Sequence, residues 1–497
     1  MRIIGLALCA ALIGCGSKTM PWLGDAGAGD ADTDGDSDTD SDSDVDSDSD
    51  VDTDPDSYLD DDDDYLSNEL EDELGTNPNN PDTDGDGASD FVEYMAGTDP
   101  LDPNSNPHAE GTFYFLIPFM QDTIPQEDTF VFSTEVRLAD VFFAMDTTGS
   151  MNGEINNLKS TLTSTIVPGL QEMIDDVHFG VGFFDDYPVS PYGTAATDSV
   201  FGLLQAMTSN VAAAQDGVDA LALHGGNDWA EGHVPALWAI ATGEGLGDYL
   251  DPQTECSSGA FGYPCFRQDA MPIVILMTDA PFHNGPSGYD AYGSELDPDA
   301  PTYLEAVDAL NEIDARVLTV YSGPPDDTGQ EHCEALSLAT GAAVDGEPLT
   351  FVIAASGAGL DTAIVDAVNE LVTTVPLDIS TATRDADDDA VDAAALIVRV
   401  VPNTAGGIED PLEPGTFCVG GLPTANTDGD PEQDVFTDVY PGTPVCFDIV
   451  PIAMNGIIAE QEEPQLYPAF VDVYGAATVL LDTRDVFFLV PPTVPVH

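Results

Sequence analysis

Acidic residues at regular spacing mark the stretch DTDGDGASDFVE as a candidate metal site. Calcium loops of twelve residues take oxygen ligands from positions 1, 3, 5, 7, 9 and 12, with a backbone carbonyl at position 7 and a glycine at position 6 for the sharp turn. Gly87 stands at position 6, and Glu93 at position 12 can close the ligand shell with both oxygens. The sequence therefore predicts a Ca²⁺ loop with the ligands Asp82, Asp84, Asp86, Ala88 (through its carbonyl), Asp90 and Glu93.

An earlier acidic stretch keeps this spacing with one change. Tyr65 replaces the glycine, so we interpret the stretch as a degenerate Ca²⁺ loop with the ligands Asp60, Asp62, Asp64, Asn68 and Glu71. A similar tetrapeptide follows each loop, GTNP at 75–78 and GTDP at 97–100. Residues 58–107 therefore form a tandem repeat, and its pattern resembles the bacterial thrombospondin type 3 repeat. The resemblance implies a stalk module stiffened by Ca²⁺.

A second candidate metal site begins in the stretch DTTGSM. Asp146, Thr148 and Ser150 place one carboxylate and two hydroxyls within one tight turn, and these oxygen donors suit Mg²⁺, Mn²⁺ or Ca²⁺. The turn follows the apolar run VFFAM, so it stands at the carboxyl end of a predicted strand, where open parallel sheets bind ligands. A helix N-cap would also explain a threonine or serine here, and the motif alone leaves both interpretations open.

Strand-like and helix-like segments alternate from 137 to 375. The apolar runs RLADVFFAM, VHFGVGFF, MPIVILM and ARVLTVY predict buried strands. Apolar residues three and four apart predict helices, the first of them from Ile155 to Ile174. This alternation predicts a doubly wound, Rossmann-like α/β domain over 137–375. Short β-branched runs broken by Pro and Gly predict a C-terminal β-sandwich over 376–497.

Further segments accompany DTTGSM along this predicted sheet, in the order FFDDYPVSPY, GGNDWAEG and TDAPFH. Together they resemble the von Willebrand factor A domain, and more narrowly the I-like domain of integrin β subunits, over 137–375. The I-like domain is inserted into a β-sandwich, so the β-rich runs of 111–136 are interpreted as strands of the C-terminal sandwich. The alternative is a short leading strand and an independent sandwich.

The resemblance also implies metal ligands. The metal of the adhesion site, Mg²⁺ or Mn²⁺, would be held by Asp146, Thr148, Ser150, Glu231 and Asp279. Asp228 and Asp185 match ligands of a second site, and an extra residue around Asp186 leaves the latter match open by one position. At a third site Gly153 stands where an acid is usual, so only Glu154 can serve there. An open position on the adhesion-site metal would accept an exposed Asp or Glu of a partner protein.

Composition and the N-terminus set the expected location. The chain has 93 Asp and Glu against 9 Lys and Arg, which excludes binding to nucleic acid or to anionic lipid surfaces. A short apolar run ending in LIGC resembles a bacterial lipobox, which predicts a signal peptide over 1–14 and lipidation of Cys15 as the membrane anchor. Residues 15–57 are rich in Asp and Ser and predict a disordered stalk. Export favours disulfides, with Cys256–Cys265 and Cys418–Cys446 as the local choices, although sequence alone does not prove the pairing.

These features predict a lipid-anchored protein of the bacterial cell envelope, exposed on the outer membrane, that binds a carboxylate-bearing protein ligand through its metal site. No catalytic motif competes: the chain has no HExxH, GxSxG or P-loop sequence, and its histidines form no set with metal-ligand spacing. We therefore expect no enzyme activity. A calcium-binding structural or assembly component of the envelope is the alternative function, and an accessory subunit of a chelatase-type machine is a third.

Overall fold

The computed structural model describes residues 59–121, 128–386, 390–427, 429 and 431–497. The predicted signal peptide, Cys15 and the predicted acidic stalk lie outside the described residues. The helices are α1 (Asn68–Leu74), α2 (Asp90–Ala96), α3 (Asn152–Thr161), α4 (Val167–Gln171), α5 (Val211–Ala220), α6 (His233–Thr242), α7 (Tyr303–Glu312), α8 (Thr328–Ala339) and α9 (Leu360–Thr374). In the described part of the chain, no helix is long and apolar enough to cross a membrane.

The strands fall into two groups along the chain. Those before and within the central α/β segment are β1 (Phe113–Leu116), β2 (Asp128–Phe132), β3 (Leu138–Asp146), β4 (Asp176–Phe184), β5 (Gly202–Thr208), β6 (Met271–Thr278), β7 (Arg316–Tyr321), β8 (Ala343–Val344), β9 (Glu347–Pro348) and β10 (Thr350–Val352). Those after it are β11 (Leu377–Asp385), β12 (Ile397–Pro402), β13 (Thr424–Ala425), β14 (Val435–Val439), β15 (Val445–Pro451), β16 (Gln465–Gly475) and β17 (Val479–Val490).

The central sheet has the strand order β10-β7-β6-β3-β4-β5. All neighbours in it are parallel except β5, which pairs with β4 in the antiparallel direction. Both faces of β3 are covered, because Phe143 packs in one apolar cluster and Phe142 in another. This double burial explains why the strand reads as one continuous apolar run. The prediction is confirmed at the level of a multidomain α/β architecture with mixed sheets.

The helix predicted from Ile155 to Ile174 is interrupted. Residues Leu162–Ile166 form a π-helical turn between α3 and α4. Pro168 follows this turn and has no N–H to donate to the preceding turn, and β-branched residues such as Thr165 pack poorly in a helix. Both features favour a wider turn at this point of the helix.

Strands that precede the central α/β segment in the chain pair with strands that follow it. One sheet has the order β1-β17-β16-β11-β14-β13, and a second has the order β12-β15-β2. β1 lies parallel to β17, and β2 lies antiparallel to β15. The rings of Phe436 and Phe447 meet between the two sheets, with centroids 5.1 Å apart. A disulfide joins Cys418 to Cys446 in this part of the chain.

The acidic repeats pack directly on the first of these sheets. Leu66 and Phe91 form a fully buried cluster with Leu489 of β17. Leu66 also forms a parallel bridge with Val496, and the Ser67 N–H donates to the Val496 carbonyl at 2.9 Å. The repeats and the last residues of the chain therefore share one small core.

A buried ion pair lies near the amino end of β3, at the opposite end of this strand from the Asp146 turn. The Arg267 N–H and Nε donate to the two oxygens of Asp140 at 2.6 and 2.7 Å, and Asp140 is fully buried. Arg267 also donates to Asp176 Oδ2 at 2.8 Å. Burial raises the pKa of Asp140, and the neighbouring guanidinium opposes that rise. The Cys256–Cys265 disulfide ends two residues before this arginine.

Candidate metal centres

The second acidic loop (82–93) is closed by its own side chains. Asp82 accepts from the N–H groups of Gly85 and Gly87 at 2.8 and 3.0 Å. Asp86 accepts from the Ala88 N–H at 3.0 Å and from Asn106 at 2.9 Å. These bonds turn the carboxylates of Asp82, Asp84 and Asp86 toward one another, with a ligand atom of each within 4.8 Å of the others.

Two buried carboxylate oxygens of this loop have no hydrogen-bond partner, Oδ2 of the half-buried Asp84 and Oε2 of the buried Glu93. Burial and the surrounding aspartates raise the pKa of Glu93 to about 8. A buried carboxylate without a partner is costly unless a cation neutralises it, so this arrangement fits Ca²⁺. Both oxygens of Asp90 accept hydrogen bonds from Thr83, so Asp90 holds the loop closed, and its role as a Ca²⁺ ligand stays a prediction.

The first acidic loop (60–71) keeps the same geometry despite its missing glycine. Tyr65 adopts a left-handed φ of 81°, the region in which Gly87 lies with φ 106°. Asp60 accepts from the Tyr65 N–H at 3.0 Å, as Asp82 accepts from Gly87. The Glu71 carboxylate is fully buried without a partner on either oxygen, and burial with nearby aspartates raises its pKa to about 8. The loop that looked degenerate in sequence therefore has the same demand for a cation.

The Asp146 turn stands at the carboxyl end of β3. Asp146 is fully buried, and its Oδ1 accepts from the Thr148 N–H and hydroxyl at 2.9 and 2.7 Å. Its Oδ2 accepts from the Thr278 hydroxyl at the end of β6, at 2.7 Å. Burial raises the pKa of Asp146 to about 7, although these donors oppose the rise. The structure therefore holds the carboxylate in one orientation across two neighbouring strands.

Glu231 reaches the same place from the loop before α6. A Cβ on Gly226 would lie 3.0 Å from Glu231 Oε1 and 3.5 Å from Thr148 Cγ2, so Gly226, at φ 83°, passes between these side chains. Glu231 Oε2 is buried and has no hydrogen-bond partner. Burial, followed by repulsion from Asp146 and other aspartates, raises the pKa of Glu231 to about 11. A cation at this point would satisfy the orphaned oxygen, so the residues present fit a metal.

Asp279 joins the turn through a hydroxyl, since Ser150 Oγ donates to Asp279 Oδ1 at 3.0 Å. In the described residues, the carboxylates of Asp146, Glu231 and Asp279 do not form a group with all ligand atoms within 4.8 Å. Thr148 donates to Asp146, and Ser150 donates to Asp279. This spacing fits a metal that contacts some of its carboxylates through water.

At the second site, where the sequence left the match open by one position, Asp185 and Asp186 have different partners. Asp185 accepts from the Thr147 hydroxyl at 2.6 Å and the Ser199 N–H at 3.0 Å, and it pairs with His224 at 2.8 Å. Through these bonds the Asp185 carboxylate positions the loops that contain Thr147, Ser199 and His224. Asp186 instead lies with Asp228 and His283, each offering a ligand atom within 4.8 Å of the others. Sequence reasoning missed His283 because no local spacing connects it to either aspartate.

Asp198 is a further residue that sequence reasoning did not find. Its carboxylate accepts from the N–H groups of Gly225 and Gly226 at 2.9 and 3.1 Å, and from Thr194 at 2.7 Å. These bonds hold the glycine turn that separates Glu231 from Thr148. Asp198 therefore positions the Glu231 loop without belonging to a metal group itself.

The third site receives one carboxylate. Glu154 is buried, with neither oxygen hydrogen-bonded, and its pKa is raised by burial. A Cβ on Gly153 would lie 2.5 Å from the carbonyl carbon of Ser356. No side chain fits at Gly153 without a backbone shift, which explains why the second acid expected there is absent.

This tight contact gives a stability prediction. We expect Gly153→Ala to lower the free energy of unfolding by about 1–3 kcal/mol, because the added carbon overlaps a backbone atom that cannot rotate away. Gly149→Ala is the matched control, since its Cβ would meet its nearest neighbour at 3.8 Å. Urea unfolding of both variants measures the difference, and equal stabilities would show that the 153–356 contact relaxes freely.

A loop in the C-terminal part has hydrogen bonds like those of the second acidic loop. The Thr427 N–H donates to Asp434 Oδ1 at 2.9 Å, as Thr83 does to Asp90 at the same distance. The Gly429 N–H donates to Asn426 Oδ1 at 2.8 Å. Thr437 stands where Glu93 stands in the acidic loop, so this loop lacks the closing carboxylate.

Comparison with known proteins bears on the repeats. Residues 82–103 match the family model of the bacterial TSP3 repeat. The resemblance is thereby confirmed for the second acidic loop, α2 and the GTDP tetrapeptide, and a repeat of this type implies Ca²⁺ binding. No curated protein matches the chain.

Proposed function

We propose that the central α/β segment is a von Willebrand factor A domain of the integrin β I-like type that captures a partner protein in a metal-dependent way. The observation that carries this proposal is the buried, unpartnered Glu231 Oε2 beside Thr148 at the carboxyl end of β3. The strand order, with β3 between β4 and β6, supports it, because ligands of open parallel sheets bind at these strand ends.

The residues that would hold Mg²⁺ or Mn²⁺ are Asp146, Thr148, Ser150, Glu231 and Asp279. When bound, the ion supplies an electrophilic position for a carboxylate of the partner. Thr148 and Thr278 fix the direction of the Asp146 carboxylate, and Ser150 fixes that of Asp279. Because these hydroxyls share the carboxylate charge, the ion would retain positive charge for an incoming Asp or Glu.

The charge of the chain narrows the class of partner. With a formal net charge of −84, the protein repels an acidic surface. The captured carboxylate would therefore project from a surface that is otherwise basic. Trp229 is 57% exposed beside Asp228 and offers an aromatic face to a cationic or apolar neighbour of that carboxylate.

The test is capture from outer-membrane or host-cell extract by the immobilised full chain. We expect capture in Mg²⁺, loss of capture in EDTA, and loss in Mg²⁺ when Asp146→Ala is used. Asp175→Ala is the matched control, because Asp175 is an exposed acid at the opposite end of β4. Full capture by Asp146→Ala in Mg²⁺ would refute the adhesion proposal.

A second function is favoured by the TSP3 match at 82–103: a calcium-binding structural or assembly component of the envelope. EGTA in the presence of Mg²⁺ separates the two functions, since it removes Ca²⁺ and leaves Mg²⁺. Interactions that depend on Ca²⁺ but survive Asp146→Ala favour the structural role. In either case we propose a non-enzymatic, lipid-anchored protein of the bacterial cell surface.

A further inference from the structure

We propose that Asp186, Asp228 and His283 bind a transition-metal ion of the Zn²⁺ class through one imidazole nitrogen and two carboxylates. Asp186 and Asp228 stand where the resemblance implies a second metal site, and the proposal adds to them the imidazole nitrogen of His283 and a metal preference unlike that of the oxygen donors around Asp146. It does not depend on what the Asp146 site binds.

The Asp186 carboxylate points to a missing ligand. The residue is fully buried, and its Oδ1 accepts from the Tyr187 N–H at 2.5 Å and the Tyr292 hydroxyl at 2.7 Å. Its Oδ2 has no hydrogen-bond partner, and His283 Nε2 lies 3.5 Å from it. A buried carboxylate oxygen in this state needs a cation, so the cluster is more than a set of surface acids.

His283 presents its other nitrogen to the same point. Its Nδ1 lies 2.6 Å from the Asp290 carbonyl oxygen, which can only accept, so Nδ1 carries the proton. In the neutral ring, Nε2 then has a lone pair that faces Asp228 Oδ2 at 3.2 Å and Asp186 Oδ2 at 3.5 Å. A lone pair among carboxylate oxygens is repulsive without a cation between them, and an imidazole whose far nitrogen donates to a carbonyl is typical of metal-bound histidine.

The separations suit a metal ion. Two ligands each about 2.1 Å from a tetrahedral Zn²⁺ lie about 3.4 Å apart. The distances from Nε2 to the two carboxylates are close to this value. Imidazole nitrogen favours Zn²⁺ and similar ions over Ca²⁺ and Mg²⁺, which prefer oxygen alone.

Rigid surroundings hold the three ligands together. The Glu231 N–H donates to the Pro281 carbonyl, and the His283 N–H donates to the Glu231 carbonyl, both at 3.0 Å. The Tyr292 ring lies 4.6 Å from the His283 ring and its hydroxyl holds Asp186. His283 is 1% exposed, whereas Asp228 is exposed, so an ion could enter from the Asp228 side.

The test uses the full chain, stripped of metal and returned to buffer with millimolar Ca²⁺ and Mg²⁺ to fill the oxygen sites. Zn²⁺ is then titrated, bound metal is measured by mass spectrometry, and Co²⁺ is substituted for its visible absorption. We expect one Zn²⁺ per chain, and we expect His283→Gln to weaken Zn²⁺ binding at least about 10-fold, the loss seen even for groups that only support a metal ligand. The Co²⁺ absorption should change in the same variant.

Two variants keep this test decisive. Asp228→Asn changes an exposed side chain, so it should weaken Zn²⁺ binding without unfolding the chain, and His178→Gln on β4 is the matched histidine control. Zn²⁺ binding that is unchanged by both His283→Gln and Asp228→Asn would overturn the proposal and leave His283 as a polar partner of two aspartates. Asp146→Ala should retain Zn²⁺, so failure of partner capture and failure of this site are separate results.

Discussion

Removal of Ca²⁺ is expected to loosen both acidic loops and to weaken the sheet on which they pack. Each loop buries a glutamate with unpartnered oxygen atoms, both oxygens of Glu71 and Oε2 of Glu93, and a cation is what makes that burial tolerable. A ligand at 100 times its dissociation constant stabilises a fold by about 2.7 kcal/mol, so two loops together contribute about 5 kcal/mol. Urea unfolding in Ca²⁺ and in EGTA with Mg²⁺ measures this difference.

The loss should extend beyond the loops, because Leu66 and Phe91 share a buried cluster with Leu489. Hydrogen exchange in EGTA is therefore expected to rise in β17 and at Val496 as well as in α1 and α2. Increased exchange confined to 60–97 would contradict the coupling of the repeats to the C-terminal sheet.

The change in unfolding free energy caused by Glu71→Gln shows whether Glu71 is a metal ligand or a packing residue, because the two roles predict different signs with and without Ca²⁺. In Ca²⁺ the amide should destabilise the chain, because it removes a charged ligand. In EGTA it should leave stability unchanged or raise it, because a neutral amide in a buried site costs less than an unpaired carboxylate. Glu73→Gln, an exposed change on the same helix, should have no effect in either condition. Equal destabilisation by Glu71→Gln in both buffers would assign Glu71 a purely structural role.

The second large effect is expected for Arg267→Ala, at about 3–5 kcal/mol of unfolding free energy. The change leaves the fully buried Asp140 without the Arg267 guanidinium as its ion-pair partner and removes the bond to Asp176. Few cations in this chain could replace it, given 9 Lys and Arg in total. Asp140→Asn in the Arg267→Ala background should recover part of the loss, because the buried charge is then gone.

Arg399→Ala is the control for this variant. Arg399 pairs with Glu432 at 2.8 Å, but side chains on both sides are about half exposed, at 45% and 40%. Exposed pairs contribute about 0–1 kcal/mol, so the control should be nearly neutral. A similar cost for both arginine variants would mean that Asp140 is relieved by water or protonation at little expense.

The central strands could be predicted because burial on both faces leaves an uninterrupted apolar run, as in VFFAM. β5 could not, since it lies at the edge of the sheet and its residues are only half-buried. The π-helical turn at Leu162–Ile166 was also beyond reach, because the apolar residues keep helical spacing through it.

The candidate sites divide in the same way. Ligands within one loop, such as Asp82 to Glu93, follow from spacing alone. Tyr65 made the first loop look degenerate in sequence, because a residue other than glycine rarely adopts a left-handed backbone conformation. No sequence pattern predicts that Tyr65 does so. Asp186 and His283 come together only through the tertiary fold, so no sequence spacing predicts their contact. Neighbouring side chains of an extended segment point to opposite faces, and the sequence alone does not say whether Asp185 or Asp186 faces the second site.

The bridge between Leu66 and Val496 has a mechanical consequence. A pulling force applied at the N-terminal side of the repeats would reach Leu66 and cross to the end of the chain beyond β17, which is held along its length by β16. Tension would then run through the repeats and this pair of strands. The central sheet leaves this β-structure after β2 and returns to it at β11, so tension on a partner captured at the Asp146 site would enter the β-structure through these two strands before it reached the repeats.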